Sequence, residues 1–130
     1  MQISSYRDLK VWQLALDLVQ VVYEVTDRFP RTETYGLGMQ MRKSAVSVPS
    51  NIAEGHARES TREVLRFLSI ASASLAELET QIVIAQRLKY TQSELSEAFA
   101  MSREVGKMLS GLERSLRGRR SRRCSLAPGP

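Results

Sequence analysis

Asn51, Glu54 and Arg58 stand at helical spacing in the run SVPSNIAEGHARES, Ser47 to Ser60, and no other set of side chains rivals them for chemistry. A carboxylate beside an amide can serve as a general base or bind a polar ligand. Hydrolysis needs more than this: no second acid converges on Glu54, and no metal motif accompanies it. The structural alternative is a hydrogen-bonded network that ends a helix and fixes a hairpin, because buried polar groups must be paired. On that reading Asn51, Glu54, Gly55 and Glu77 form a structural motif.

Folding the hairpin about residue 58 sets Glu54 opposite Arg62, Asn51 opposite Leu65, and Ser44 and Ser47 against Ser72 and Ser69. Arg42 then falls near Glu77 or Glu79, an ion pair that would set register or cross between subunits. Small serines let helices approach, and no serine has a base beside it in sequence. His56 is the only histidine and Cys124 the only cysteine, so a metal site lacks its ligand set. The expectation is no catalytic residue, no metal and no cofactor.

Charge offers a different chemistry. Arg42, Lys43, Arg58, Arg62 and Arg66 gather around the expected helix 2–3 junction, diluted to +2 by Glu54, Glu59 and Glu63. The net charge is +5, but residues 117–130 hold five arginines and no acid, leaving 14 basic and 14 acidic residues in 1–116. The basic character thus belongs to a tail carrying Arg119, Arg120, Arg122 and Arg123 behind a neutral body. Junction and tail are the candidate contacts for RNA or DNA, with strongly salt-dependent affinity. Base stacking would need exposed aromatics among these cations; Trp12, Tyr23, Tyr35 and Tyr90 read instead as core or interface residues.

The elements that position these groups are helical. Helix one is expected from about Asp8 to Phe29, stopped by Pro30, with apolar residues on most of its circumference. Helix two starts near Thr32 and carries the seam Leu37, Met41, Ala45, Val48, Ile52. Pro49 should kink or break it, and Gly55 should end it in the left-handed conformation. Helices three and four open on the capping boxes Ser60-x-x-Glu63 and Thr91-x-x-Glu94. Gly106 and Gly111 weaken helix four unless a neighbour approaches closely there. No strand pattern competes and connections are short, so an all-α, antiparallel up-down four-helix bundle follows over 1–117, with a basic disordered tail over 118–130. At 130 residues this is one domain; it offers no uninterrupted run of about 18 apolar residues and no secretory leader, and reads as cytoplasmic, with no membrane partner. The breadth of helix one's apolar surface calls for a homo-oligomer, since a lone bundle would leave it wet.

Several blocks resemble a known family. They are Tyr6-Arg7-Asp8-Leu9-x-Val11-Trp12-Gln13, Pro30-x-x-Glu33-x-Tyr35-Gly36-Leu37, and Gln40-x-Arg42-Lys43-Ser44-Ala45-x-Ser47-Val48-Pro49-Ser50-Asn51-Ile52-Ala53-Glu54-Gly55. Phe67-Leu68, Ser74-Leu75-x-Glu77-Leu78-Glu79-Thr80-Gln81 and Met108-Leu109 complete the pattern. Over about residues 6–117 the chain is similar to the bacterial four-helix-bundle proteins encoded within 23S rRNA intervening sequences. The accessory variability determinant proteins of diversity-generating retroelements share the pattern. The resemblance implies a ring-like homopentamer with no known enzymatic activity, a scaffold whose biological role is unknown. The retroelement relatives are basic and associate with nucleic acid and a reverse transcriptase. An RNA-binding module using the tail and the helix 2–3 junction is therefore the alternative function.

Overall fold

Each helix boundary has a local cause. The computed structural model describes residues 5–91 and 93–126, with side chains described as far as Arg119. A 3-10 turn at Tyr6–Asp8 is capped by Ser5, whose Oγ accepts the Arg7 N–H at 3.1 Å. Helix α1 (Lys10–Thr26) stops short of Pro30. A second 3-10 turn, Arg31–Glu33, precedes α2 (Leu37–His56); α3 spans Thr61–Arg87 and α4 spans Ser93–Leu126.

Helix α2 thus begins later than Thr32. Glu33 serves it from outside, its Oε2 accepting the Leu37 N–H at 3.1 Å. Gly38 makes that turn possible, because a Cβ there would lie 2.9 Å from the Glu33 carbonyl oxygen. The helix then runs unbroken through Pro49, which is buried. Gly55 does not terminate it: α2 continues to His56, and no glycine among the described residues has positive φ. A Cβ on Gly55 would lie 3.0 Å from Phe67 Cβ, so glycine is needed for close approach of α3.

The left-handed residue is Lys89, φ 59°, just past α3. Tyr90 N–H donates to Ala85 O at 3.2 Å and Lys89 N–H to Gln86 O at 3.1 Å, the paired bonds of a Schellman ending. A side chain in that conformation costs about 1–2 kcal/mol. Lys89→Gly should therefore raise stability by about 0.5–1 kcal/mol, after allowing for glycine's freer unfolded chain, read as a higher urea midpoint at unchanged slope.

Ser60 caps α3 by accepting the Glu63 N–H at 3.1 Å, while the Glu63 carboxylate turns to Arg66 at 3.4 Å. The expected Thr91 cap is not made: α4 starts at Ser93, and the buried Thr91 hydroxyl has no hydrogen-bond partner. Helix α4 also continues past residue 117, where the sequence predicts disorder. Its backbone is helical to Leu126, and residues 127–130 of the expected tail lie outside the described residues. Arginine favours helix, Gly118 costs only about 1 kcal/mol, and no proline intervenes before Pro128.

The four helices pack in cyclic order, α1 on α2, α2 on α3, α3 on α4 and α4 on α1. Ser47 meets Ser74 while Gly55 meets Phe67, and Ser72 meets Glu113 while Gly106 meets Leu75, so α2 and α3, and α3 and α4, run antiparallel. Leu18, Val22, Met41, Ala45, Val48, Leu78, Ile82, Leu95, Ala98, Val105 and Leu109 are wholly buried between them. At Gly106 a Cβ would lie 3.3 Å from Leu75 Cδ2, which gives that glycine its close neighbour; Gly111 has none from another helix. Helix α3 is long and apolar enough to cross a membrane by length and composition. Here it packs on α2 and α4 through Leu65, Leu68, Ala71, Leu75 and Leu78.

Candidate functional site

The α2–α3 junction does not assemble the trio expected of it. Asn51 is half-buried in the α2/α3 seam, its Nδ2 donating to Ser47 O at 2.8 Å and Ser47 Oγ at 3.0 Å. Ser47 Oγ in turn lies 2.8 Å from Ser74 Oγ. Glu54 faces solvent and pairs with Arg58 at 2.9 Å. The Arg58 and Arg66 guanidinium carbons sit 4.7 and 5.2 Å from the Phe67 ring centroid, clasping the residue that packs on Gly55. Asn51 and Glu54 are thus each engaged within the junction, and no second acid meets Glu54.

Helix pairing is shifted from the expected register. Ser47 faces Ser74 rather than Ser69, and Ser72 bonds Glu113 of α4 at 2.9 Å rather than a serine of α2. The turn at residues 57–60 moves the pivot C-terminal of residue 58. Arg42 does not pair with Glu77 or Glu79. Its Nη1 donates to Thr26 Oγ1 at 3.2 Å and its Nη2 to Thr34 O at 2.9 Å, which ties α2 to the end of α1. Glu77 is exposed on the rim of a shallow cleft of about 200 Å³ shared with Lys43, Ser44 and Gln81.

Nor do the five basic residues form one patch. Because α2 is a continuous helix, Lys43 lies roughly 20 Å along its axis from His56, the end beyond which Arg58 stands. Arg58 and Arg66 already hold Glu54 and Glu63. Arg62 and Arg119 are exposed, while Arg120, Arg122 and Arg123 lie on α4 with side chains outside the described residues.

Two surfaces are more continuous. The first joins α1 to α2. Tyr6, Trp12, Leu16, Val19, Val46 and Pro49 line a groove of about 290 Å³, and Tyr23 and Met39 extend it along the same pair of helices. Leu16, Tyr23 and Val46 are 41, 49 and 40% exposed, large values for apolar side chains standing together. Tyr6 packs edge-on to Trp12 at 5.2 Å, so the 3-10 turn helps wall the groove. Helix one's apolar breadth was visible in sequence, whereas the α2 side of the groove needed the helix pairing. Tyr35, at 85% exposed, is neither core nor part of this groove, and Tyr90 packs on Phe29 at 5.2 Å.

The second surface lies between α3 and α4 and has a polar seam. Glu113 is buried, accepts from Ser72 at 2.9 Å and lies 3.4 Å from Arg117. Nearby, Ser102 Oγ donates to Phe99 O at 2.8 Å. At the far end of α4, bonds from its own N–H and from Ser93, with the Arg28 guanidinium beside it, hold the Glu94 carboxyl below its ordinary value. No group of three or more His, Cys, Asp or Glu that could hold a metal occurs among the described residues.

A family model described as "23S rRNA-intervening sequence protein" matches residues 7–111. The chain also superposes on a crystal structure, at 1.70 Å resolution, of a protein of unknown function from the S23 ribosomal protein family of Bacteroides thetaiotaomicron. The TM-score is 0.74 at 20% identity, over 80% of this chain and 95% of the other, a likeness of fold. A search of curated proteins gives no match.

Proposed function

The chain belongs to the 23S rRNA-intervening sequence protein family, and from that premise we propose a non-enzymatic scaffold that works as a homo-oligomer. The observation that carries this reading is the α1/α2 groove, where Leu16, Tyr23 and Val46 stand exposed beside Trp12 and Pro49. Covering a large apolar side chain is worth about 1.5–3 kcal/mol, so several together can support association. Ile84 and Leu88, at the C-terminal end of α3, are also exposed, on a helix that does not touch α1. Two dissimilar apolar patches suit a head-to-tail contact, the kind that closes into a ring. Five copies is the number the family resemblance implies. A role without catalysis is supported by Asn51 and Glu54 each being engaged with a neighbour. The lone cysteine agrees with a cytoplasmic setting.

Multi-angle light scattering at micromolar concentration tests this. The expected mass is about 74 kDa, five times the 14.7 kDa chain. A mass of 14.7 kDa would remove the scaffold reading.

A further inference from the structure

The groove between α3 and α4 lies across the bundle from the α1/α2 face, since α1 does not contact α3 and α2 does not contact α4. Its volume is about 440 Å³, and its α4 wall carries Arg103, Lys107 and Arg114 with Ser110 among them. Offsets of four and seven residues put the three cations on one helical face over about 16 Å. All three are exposed, and none has an ion pair or hydrogen bond among the described residues. That sets them apart from Arg58 and Arg66 at the junction, which are already paired. The facing α3 wall carries Ser72, whose hydroxyl is already given to Glu113, and a single carboxylate, Glu79.

Charge is concentrated along this helix. Residues 103–126 hold eight of the 19 basic residues and two of the 14 acidic ones, but five of the eight are the arginines from 117 onward; over the groove itself, residues 103–114, three cations stand against Glu104 and Glu113. One of the two acids, Glu113, is buried and bonded to Ser72. Among the described residues none of the exposed large apolar side chains is on α4, so the described part of this face has nothing to insert into lipid or to seat an apolar helix. What remains is a line of free cations with the Ser110 hydroxyl among them, a donor set that contacts phosphate without reading bases.

We propose that the α3/α4 groove binds the phosphate backbone of a nucleic-acid strand, through Arg103, Lys107 and Arg114. Because the contacts are to phosphate rather than to base edges, binding is independent of sequence. The site differs from the tail and junction residues singled out by sequence, and Arg114 lies beyond the family match at residue 111. It does not depend on the assembly reading.

Fluorescence anisotropy of a labelled single-stranded RNA of about 20 nucleotides, mixed with the full chain, tests the proposal. Three strand contacts contribute a slope of about −2 in log affinity against log salt, so affinity should fall about 20-fold or more between 50 and 200 mM KCl. Arg103→Gln, Lys107→Gln and Arg114→Gln together should weaken binding by at least about 10-fold at low salt and flatten that slope. Arg58→Gln, Arg62→Gln and Arg66→Gln remove equal charge at the junction and should change affinity by less than about twofold. Circular dichroism and light scattering check that fold and mass are kept; Lys107→Glu alone gives a second reading should the triple variant lose helicity. Equal losses from both triples would overturn the proposal, as would no binding at 50 mM salt. So would displacement of the RNA by polyglutamate as readily as by unlabelled RNA, since that makes the groove a general site for acidic chains.

Discussion

Leu16→Glu combined with Val46→Glu should give a folded monomer. Both side chains are about two-fifths exposed in the single chain, so carboxylates there cost the bundle little. Covered by a second copy, each would be a charge stripped of water without a partner. Taking about 3 kcal/mol per buried, unpaired carboxylate, the two together cost about 6 kcal/mol, on the order of 10⁴ in the association constant. Light scattering should then return one chain's mass while circular dichroism retains the helical spectrum. If the double variant keeps the parent mass, copies meet elsewhere, and the α3 patch at Ile84 and Leu88 becomes the surface to change.

Pro49→Ala should stabilise that monomer. Proline in a helix interior costs about 3 kcal/mol relative to alanine, through the missing N–H and the clash with the preceding turn. Its buried ring offsets part of that, about 0.8 kcal/mol for each methylene lost. The net gain should be about 1–2 kcal/mol by urea unfolding in the Leu16→Glu, Val46→Glu background, where dissociation does not contribute. In the otherwise native chain the same change removes part of the wall that Pro49 shares with Trp12 and Leu16, and association should weaken as folding strengthens. A loss of stability in the monomer would show that the core is shaped around the ring more closely than this balance assumes.

The helices were legible in sequence because their seams are regular. Met41, Ala45, Val48 and Ile52 on α2, and Leu95, Ala98, Ser102, Val105 and Leu109 on α4, are all essentially buried. Boundaries were less legible where a side chain acts from outside a helix. Glu33 reads as a first-turn acid, but its carboxylate caps α2 from the preceding 3-10 turn. Gly55 reads as a left-handed terminator, and only the approach of Phe67 reveals why glycine is there. Conversely, nothing in its type marks Lys89 as the residue at positive φ.

Site residues were hardest to place because hairpin register cannot be read from a periodic pattern. A pivot misplaced by two or three residues moved Ser47 from Ser69 to Ser74 and took Arg42 away from Glu77 and Glu79. The α3/α4 groove shows a second blind spot. Arg103, Lys107 and Arg114 are scattered among Glu104 and Glu113 in sequence, and only burial of Glu113 and the shared helical face leave the cations to act together. A local count of charge sees the arginine-dense end of the chain first.

Trp12 is the only tryptophan and lines the α1/α2 groove, so its fluorescence reports on that face alone. Acrylamide quenching should be followed on dilution, alongside mass. If copies of the chain cover the groove, quenching will be weak in the assembled protein and will rise over the concentration range in which mass falls. A multimeric mass with Trp12 as open to quencher as in the Leu16→Glu, Val46→Glu monomer would contradict that arrangement.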